Sequence, residues 1–465
     1  MSNQSLNQNK TVAAISTAFG KGGIAVIRIS GDDAITIAEK MFIPKSKKRL
    51  SELPHANAVW GDILKDGSVI DDGMATVFFS PHSFTGENTV EISCHGGILL
   101  TQNVLESAFL CGAFAAGPGE FTRRAFINGK LSLTQAEAIG MLLDATTDEQ
   151  IRLAAASSRG VLDRRCNAIA EELRAILSST YAYIDFPDED LENLSVEEIK
   201  SRLSALLSEL RTIEDSYHST HAVNEGLNAV IIGRPNVGKS TFMNLLAEKD
   251  LAIVTEIPGT TRDVISQNIT LGKVLLKLSD TAGIHSSEDK VEQIGIDRAK
   301  NALSEAELIF AVFDASEALT EEDIALLSLL DQASGVKIAV INKQDLPRRI
   351  QMDAIRSHFQ NIAEISAKTR SEDKNKITQL IENLFLTGNI DYNTDAIVAN
   401  ARQYASIQKC HISVQNAMKA LQNGYTQDIA GMDIENAYGA ICEIEGRDIS
   451  QDIVNEIFSK FCVGK

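Results

Sequence analysis

The sequence predicts a multidomain protein. An α+β domain comes first, an all-α domain is formed from two chain segments, and an α/β domain is inserted between those segments. Residues 1–125 carry β-branched runs broken by glycine and proline, which is typical of α+β structure. Residues 161–225 contain no glycine and carry apolar side chains at steps of four and three, as on one face of a long helix. From residue 226 to about 375, strand, glycine turn and helix alternate, which indicates a parallel sheet.

The two helical stretches have the same apolar periodicity. In the first, the repeating positions are Leu162, Cys166, Ile169, Leu173 and Ile176. In the second they are Tyr404, Ile407, His411, Val414, Met418 and Leu421. A histidine inside such a stripe is more often a hydrogen-bonded core residue than a ligand. Because the termini of an inserted domain lie close together, we assign both stretches to one helical domain. The expected boundaries are 1–125 for the N-terminal domain, 126–222 and 379–465 for the helical domain, and 223–378 for the inserted domain.

The composition indicates an ordinary globular protein. The chain has 465 residues, of which 44% are hydrophobic and 23% charged, and it is too long for one core. Its net charge of −19 argues against a protein that coats nucleic acid by itself, because Lys and Arg dominate phosphate binding. The six cysteines form no CxxC pair, the start of the chain is polar, and no apolar run has membrane length. We therefore expect a reduced, cytoplasmic protein without a membrane segment.

The stretch LNAVIIGRPNVGKSTFMNLLA (227–247) predicts a phosphate-binding loop. An apolar strand leads into Gly233-x4-Gly238-Lys239-Ser240 and a helix follows, which is the context that this motif requires. The glycines let backbone N–H groups surround phosphates at a helix N-terminus. Lys239 then reaches the β/γ oxygens and Ser240 holds Mg²⁺. The expected nucleotide contacts in this loop are Asn236, Val237, Gly238, Lys239, Ser240 and Thr241.

Three downstream segments indicate that the nucleotide is GTP. One strand ends at DTAG (280–283), with Asp280 near the Mg²⁺ shell and Gly283 near a γ-phosphate. Another ends at NKQD (342–345), whose carboxylate can accept both the ring N–H and the exocyclic amine of guanine. SAK (366–368) supplies a backbone N–H to the guanine carbonyl. The contacts expected here are Asp280, Thr281, Ala282, Gly283, Asn342, Lys343, Asp345, Ser366, Ala367 and Lys368.

The residue after DTAG departs from the pattern of many signalling GTPases. They carry a glutamine that orients the attacking water, whereas this chain has Ile284, which can neither orient water nor transfer a proton. Catalysis must therefore come from another side chain, an ion or a second subunit. Asn236 and the loop VTEIPGTTRD (254–263) are candidates for holding a monovalent cation that offsets developing charge. Glu292 is a candidate for orienting water, although such a residue is more often a charge on a helix face.

Taken together, these motifs resemble those of the MnmE (TrmE) family of tRNA-modification GTPases. The segments GRPNVGKST, PGTTRD, DTAGI, VEQIGIDRA, NKQD and the final FCVGK stand in the family's order. The N-terminal segments GKGGIAVIRISG, SFTGENTVEISCHGG and PGEFTRRAFINGKLSLTQAEAI are also similar to that family, and other GTPases lack them. The resemblance implies an N-terminal folate-binding domain that dimerises, a helical domain from two segments, and an inserted GTPase domain with a Ras-like sheet of parallel type.

The resemblance also implies a reaction and partners. Family members act with an FAD-containing partner, MnmG (also called GidA), and add a (carboxymethyl)aminomethyl group to C5 of the wobble uridine of certain tRNAs. The implied one-carbon donor is 5,10-methylene- or 5-formyl-tetrahydrofolate. Hydrolysis of GTP with Mg²⁺ depends on K⁺-stimulated dimerisation of the GTPase domains. The implied assembly is a homodimer that forms a heterotetramer with MnmG and acts on tRNA.

Particular residues receive roles from this resemblance. The implied K⁺ ligands are Asn236, Thr255, Ile257 and Thr260, and the implied Mg²⁺ ligands are Ser240 and Thr261. Further nucleotide contacts fall on Glu256, Pro258 and Gly259, and Glu292 matches the glutamate that orients water. The implied folate contacts are Arg28, Glu91, Lys130 and Lys465, with Cys462 near the transferred carbon. From the residues alone, Arg28 needs an anionic partner in its apolar strand, Glu91 could face solvent, and Lys130 could be a turn lysine.

A second hypothesis is a ribosome-assembly GTPase that acts as a nucleotide-dependent RNA-binding switch. Such proteins share the Asn-containing loop and the apolar residue after DTAG, but they usually carry an appended RNA-binding module. The early G-x-x-G, GKGG (20–23), leads into a strand instead of joining two helices, which argues against a KH module. A scaffold that binds GTP without hydrolysing it is the weakest alternative, because the set of catalytic-loop elements is complete.

Overall fold

The computed structural model of the chain describes residues 10–185, 194–247, 266–279, 303–386, 391–447 and 450–465. The chain divides into two compact units. The first unit consists of residues 1–140, 158–170 and 441–465, and the second of residues 141–157 and 171–440. Both units are assembled from separate chain segments and combine helices with a sheet, so the predicted multidomain fold class is confirmed.

A seven-stranded sheet forms the centre of the first unit. Its strands are β1 (Val12–Ile15), β2 (Ile24–Ser30), β3 (Phe42–Pro44), β4 (Asn57–Lys65), β5 (Ser68–Phe78), β6 (Thr89–His95) and β7 (Phe114–Ala115). They are ordered β3-β4-β5-β6-β2-β1-β7, with only β1 and β7 parallel to each other. The register of β2 and β6 sets Arg28 opposite Glu91 and Ser30 opposite Thr89. These four side chains share one face, because alternate residues of a strand point to the same side.

The opposite face of this sheet is covered by α1 (Ala34–Met41) and α2 (Ile98–Leu110). The side chains of Ile27, Ile29 and Ile92 are fully buried beneath these helices. After β7 the chain forms α3 (Glu120–Ile127) and α4 (Leu133–Asp144), and the last helix, α14 (Gln451–Ser459), contacts α3. A small core of Leu133, Ala136, Val454 and Phe458 holds α4 and α14 together.

The second unit contains a six-stranded sheet. Its strands are β8 (Leu227–Ile232), β9 (Ser266–Leu271), β10 (Val274–Ser279), β11 (Leu308–Asp314), β12 (Val336–Asn342) and β13 (Asn361–Glu364), in the order β13-β12-β11-β8-β10-β9. All neighbours are parallel except β9, which runs antiparallel to β10 at the edge. Every residue of β11 is buried, which explains its continuous apolar run, because the helices of this unit cover both faces of the sheet. The parallel strands place their carboxyl ends at one edge, and with them those predicted nucleotide motifs that lie within the described residues.

In the described part of the chain, the helices that alternate with these strands include α8 (Lys239–Ala247), α9 (Glu321–Leu330), α10 (Met352–His358) and α11 (Asp373–Phe385). Phe242 of α8 and Ile377 of α11 belong to the core on one face. Leu327 of α9 and Ile355 of α10 belong to the core on the other. The order of strand, turn and helix predicted for this region is therefore confirmed in the part of it that the structure describes.

The predicted stripes lie on two of the five further helices that the structure describes. These five helices are α5 (Asp148–Ser158), α6 (Val161–Asp185), α7 (Val196–Asn224), α12 (Ala401–Gln422) and α13 (Gln427–Glu445). All five stripe residues of α6 are buried, as predicted. In α12, His411 Nδ1 lies 2.6 Å from Glu214 Oε2, which confirms a hydrogen-bonded histidine. Within the described ranges, none of the helices combines the length and apolarity that a membrane crossing needs.

Candidate functional site

The loop between β8 and α8 has the backbone geometry that its glycines predict. Gly233 has φ +154°, and a Cβ there would lie 2.5 Å from the carbonyl oxygen of Val312. Gly238 has φ +102°, and a Cβ there would overlap Asn342 Nδ2. Asn236 adopts φ +65°, a left-handed conformation that asparagine tolerates better than most residues. Both glycines are therefore required for the loop to curl closely over the end of the sheet.

Lys239 begins α8 and points its side chain back into this loop. Its Nζ donates to the carbonyl oxygens of Gly233 at 2.8 Å and Arg234 at 2.9 Å. Burial lowers the pKa of Lys239 below that of an ordinary lysine. A partly desolvated cation beside a helix N-terminus is suited to an anionic group such as a phosphate. Ser240 and Thr241 follow on the first turn of α8 with exposed side chains, where a hydroxyl can reach a bound cation.

Asn342, at the end of β12, joins the phosphate loop to the SAK segment. Its Nδ2 donates to the carbonyl of Val237 at 3.0 Å, and its Oδ1 accepts from the N–H of Ala367 at 3.0 Å. The residue is 3% exposed, so these hydrogen bonds are protected from water. Asn342 therefore fixes the predicted phosphate and guanine segments relative to each other.

The carboxylate of Asp345 is oriented by Ser366. The hydroxyl of Ser366 donates to Asp345 Oδ1 at 2.5 Å and accepts from the N–H of Asp345 at 2.9 Å. The hydrogen bond from Ser366 lowers the pKa of Asp345, so the group is ionised at neutral pH. An ionised carboxylate is an acceptor only, which is what recognition of two N–H donors on one ligand edge requires. Ser366 is itself held by Asp373, whose Oδ2 accepts its N–H at 2.8 Å.

Sequence reasoning missed two carboxylates that support this site. Besides Asp373, Asp314 at the end of β11 accepts from Lys343 Nζ at 2.5 Å. Burial acts to raise the pKa of Asp314, but the hydrogen bonds from Lys343 and Ser316 outweigh it and lower the pKa. The signal available in the sequence was an apolar strand, LIFAVFD, that ends on an acid at the same sheet edge as NKQD.

Twelve of the predicted site residues lie outside the described residues. They are Thr255, Glu256, Ile257, Pro258, Gly259, Thr260, Thr261, Asp280, Thr281, Ala282, Gly283 and Glu292. Their nucleotide, K⁺, Mg²⁺ and catalytic roles stay predictions.

In the first unit the structure brings Arg28 and Glu91 together. Arg28 Nε donates to Glu91 Oε1 at 2.8 Å, and a second guanidinium nitrogen lies 2.8 Å from the same oxygen. The guanidinium carbon is 5.6 Å from the ring centre of Phe84 and 5.4 Å from that of Phe121. The anionic partner that Arg28 was expected to need is therefore Glu91, its cross-strand neighbour. Phe84 is 40% exposed, so an aromatic surface borders this ion pair.

The C-terminal residues are held against the start of α3. The N–H of Gly119 donates to the carbonyl of Cys462 at 3.2 Å, and the N–H of Phe121 donates to the carbonyl of Lys465 at 3.0 Å. Ser16 Oγ donates to the carbonyl of Gly464 at 3.1 Å. Phe121 therefore contacts both Lys465 and Arg28, which places the tail at the edge of the Arg28–Glu91 pair. The thiol of Cys462 is free and its side chain is exposed.

Lys130 makes a different set of contacts. Its Nζ donates to the carbonyl of Pro81 at 3.0 Å. It lines a polar cavity of about 380 Å³ whose charged and amide lining includes Lys10, Asp32, Glu87, Arg124 and Asn128. Among the described residues, its hydrogen bonds do not include Arg28, Glu91 or Lys465.

Comparisons with known proteins identify the family of the chain. The sequence profile of the MnmE helical domain matches residues 133–462, and that of the N-terminus of GTP-binding protein TrmE matches residues 11–130. The tRNA modification GTPase MnmE of Lactobacillus johnsonii is 37% identical over 464 residues, which cover 99% of this chain and 100% of that protein. The tRNA modification GTPase MnmE of Clostridioides difficile is 35% identical over 457 residues, covering 98% of this chain and 99% of that protein.

Among solved structures, a point variant of Era from Aquifex aeolicus bound to GDP and AlF4⁻ is 26% identical over a region that covers 40% of this chain and 65% of that chain, with a TM-score of 0.27. The helical-domain match spans more than half of the chain, and the two MnmE relatives match it from end to end. The chain belongs to the MnmE family of tRNA modification GTPases.

Proposed function

We propose that this GTPase works with an FAD-dependent partner of the MnmG family in the cytoplasm. Together they add a (carboxymethyl)aminomethyl group to C5 of the wobble uridine of certain tRNAs, with a tetrahydrofolate as one-carbon donor. The active form is a homodimer whose GTPase domains dimerise in K⁺, and it joins the partner in a heterotetramer. Its domains are residues 1–125, 126–222 with 379–465, and 223–378. Similarity along the whole chain to proteins named tRNA modification GTPase MnmE supports the class of reaction.

The observation that carries the nucleotide half of this proposal is the position of Asn342 between Val237 and Ala367. It supports one ligand that reaches from the phosphate loop to the NKQD and SAK segments. In that ligand Lys239 and the backbone of 236–241 bind the phosphates, and Asp345 accepts the N–H groups of guanine. Ser240 and Thr261 hold Mg²⁺, which neutralises charge on the phosphate oxygens when it is bound.

Hydrolysis in this proposal depends on K⁺ instead of a glutamine. Asn236 is exposed at the turn of the loop, with the left-handed backbone noted above, and its side-chain oxygen is a suitable ligand for a monovalent cation. Thr255, Ile257 and Thr260 complete the ligand set, and Glu292 orients the attacking water. The cation supplies positive charge beside the transferred phosphoryl group, which an arginine supplies in other GTPases.

The experiment for this half is GTP hydrolysis in K⁺ and in Na⁺ at matched ionic strength, over a range of protein concentrations. We expect K⁺ to stimulate the rate strongly, and Asn236→Ala to abolish that stimulation. Asn375→Ala, on the exposed side of α11, is the matched control and should behave as the unmodified chain. Equal rates in the two salts would remove the K⁺ mechanism and leave the GTPase activity in place.

The folate half of the proposal is supported by the Arg28–Glu91 pair. A carboxylate accepts N–H groups from a flat heterocycle, a guanidinium binds its oxygen or carboxylate groups, and the exposed ring of Phe84 offers a stacking surface. These residues fit a tetrahydrofolate, which carries the transferred carbon when bound. In this proposal Lys465 and Cys462, at the C-terminal end of the chain, lie near the bound tetrahydrofolate. Lys130, at its separate cavity, is assigned to a more distant part of the same ligand.

Nucleoside mass spectrometry of tRNA tests this half. A strain that lacks the gene should lose the modification at wobble uridines, and the unmodified gene should restore it. Cys462→Ser and Arg28→Gln should fail to restore it, whereas the half-buried Cys111→Ser should succeed. Unchanged wobble uridines in the deletion strain, together with GTP-dependent sedimentation on ribosomes, would favour the ribosome-assembly alternative.

A further inference from the structure

A buried polar network begins beside Arg28 on the same face of the first unit's sheet. Ser30 lies two residues after Arg28 on β2 and is fully buried. Its Oγ donates to Glu87 Oε2 at 2.7 Å and lies 2.8 Å from Thr85 Oγ1. The carboxylate of Glu87 therefore reaches into the sheet next to the Arg28–Glu91 pair.

Arg124 of α3 holds the other side of Glu87. One of its terminal nitrogens donates to Glu87 Oε1 at 3.2 Å and to Oε2 at 2.9 Å, and its Nε donates to Glu120 Oε1 at 3.0 Å. Its other terminal nitrogen donates to the carbonyl of Lys10 at 2.9 Å. The residue is only 4% exposed. A buried guanidinium with this many partners fixes their relative positions, and removing it leaves two carboxylates unpaired.

The first turn of α3 connects this network to the tail. The N–H groups at the start of a helix have no partner within the helix. At the start of α3, the N–H groups of the preceding residue Gly119 and of Phe121 donate instead to the carbonyls of Cys462 and Lys465. The ring of Phe121 lies under the guanidinium of Arg28. Glu120, Phe121 and Arg124 are on one short helix, so the contacts of Arg124 and the N–H group that Phe121 donates to the tail belong to the same element.

We propose that Arg124 is a positioning residue for the tRNA modification. By clamping the first turn of α3 to Glu87, it holds residues 462–465 at the edge of the Arg28–Glu91 pair. Its guanidinium acts through Glu87, Glu120 and the helix backbone and takes no part in the chemistry itself. This inference rests on the proposed function, in which residues 462–465 place Cys462 near the carbon that the tetrahydrofolate donates.

Amide hydrogen exchange of the full-length chain, read by mass spectrometry on peptides that cover 117–125, measures tail seating directly. We expect Arg124→Gln to speed exchange at Gly119 and Phe121 roughly tenfold or more, because the hydrogen bonds that protect these amides are lost. A chain that ends at Phe461 gives the value for a released tail. Arg49→Gln, which removes a surface pair with Glu39 in the same unit, should match the unmodified chain.

The same variants are then assayed for tRNA modification and for GTP hydrolysis. Arg124→Gln should slow modification by a factor similar to its effect on exchange and leave GTP hydrolysis unchanged. Arg124→Lys, which keeps the charge opposite Glu87, should restore part of the rate. A general loss of structure would instead speed exchange in β2 and β6 and lower both activities together. If Arg124→Gln does not fold, Glu87→Gln and Glu120→Gln each remove one partner and should give intermediate values.

Wild-type exchange at Gly119 and Phe121 in Arg124→Gln would overturn the inference. So would normal modification by a variant whose tail is released. If the chain ending at Phe461 modifies tRNA at the normal rate, the proposed role of the tail fails and the inference falls with it. The two failures can be told apart. Failure of the proposed role of the tail is seen as normal modification by the shortened chain, and failure of the role of Arg124 is seen as unchanged amide exchange in Arg124→Gln.

Discussion

His221 Nε2 lies 2.8 Å from Glu307 Oε1, which joins the C-terminal end of α7 to the residue that precedes β11. The other ring nitrogen is 3.1 Å from Glu225 Oε2. The hydrogen bonds from Glu225 and Glu307 raise the pKa of His221 to about 9. Glu307 Oε2 also accepts the N–H of Asn228 at 3.0 Å. Within the second unit, a charged imidazole therefore connects a long helix to the central strands of the sheet.

This contact predicts a pH-dependent stability of the second unit. Because the folded pKa of about 9 lies above the ordinary value of 6.5, the contribution is complete below pH 6.5 and is lost as the pH rises through 9. We expect it to be on the order of 2 kcal/mol after screening by solvent. Calorimetric unfolding at pH 6 and pH 9.5 should show a larger difference for the unmodified chain than for His221→Gln. His358→Gln, which removes an exposed pair with Asp331, should retain the full difference.

Asp345→Asn should change the base that the nucleotide site accepts. The substitution replaces an acceptor of two N–H groups with an amide that also donates, so guanine loses charge-assisted hydrogen bonds while xanthine gains a partner for its extra carbonyl. We expect GTP affinity to fall by roughly a hundredfold and binding of xanthosine triphosphate to appear. Titration with fluorescent analogues of both nucleotides measures this. Asp353→Asn, on the exposed side of α10, should alter neither affinity. Loss of GTP binding in Asp345→Asn without any gain in xanthosine triphosphate binding would contradict the assignment.

Gly238→Ala should abolish nucleotide binding by displacing Asn342. An added Cβ overlaps Asn342 Nδ2, so the bridge from Val237 to Ala367 cannot persist. Gly424→Ala separates this effect from backbone strain, because Gly424 has φ +78° with no atom within 4 Å of the added Cβ. Both variants should lose about 1 kcal/mol of stability from the positive φ. Equilibrium binding of GTP should be lost in Gly238→Ala alone, and retention there would show that the bridge is dispensable.

Gly464→Ala should unseat the tail and stop modification while GTP hydrolysis continues. Gly464 has φ +101°, and its added Cβ would overlap the carbonyl oxygen of Ile15. Gly67→Ala is the control in the same unit, since Gly67 has φ +76° with open space around the added Cβ. The measurements are nucleoside mass spectrometry of tRNA and steady-state GTP hydrolysis. Normal modification by Gly464→Ala would mean that the tail works without being seated.

The sequence was most informative where one short segment determines the structure. The glycine loop, its strand and its helix are encoded within residues 227–247, and the apolar stripe of α6 is a local period. The charge of Arg28 in an apolar strand also predicted an anionic partner. The sequence did not show that this partner is Glu91. Arg28 and Glu91 are 63 residues apart in the chain, and the register of β2 and β6 is set by the whole sheet.

Other features depend on contacts between distant segments and have no local signal. One example is the hydrogen bond from Ser366 to Asp345, and another is the contact between His221 and Glu307. Both join separate parts of the chain. The antiparallel edge strand β9 was also not predicted, because its sequence SQNITL does not show which strand it pairs with or in which direction. The cavity that Lys130 lines could not be predicted either, because a lysine in a turn gives no local signal of which distant residues it will contact.

Residues 462–465 are held through main-chain carbonyls, and this determines which substitutions and deletions leave their hydrogen bonds intact. Carbonyl oxygens are common to all amino acids, so side chains at 462, 463 and 465 can vary without loosening the two hydrogen bonds from α3. Spacing is a different matter. Deleting one residue between Cys462 and Lys465 shifts one acceptor by about 3.3 Å, more than a hydrogen bond can follow. We therefore expect the position of this segment against α3 to depend on its length, separately from the side-chain roles proposed for Cys462 and Lys465.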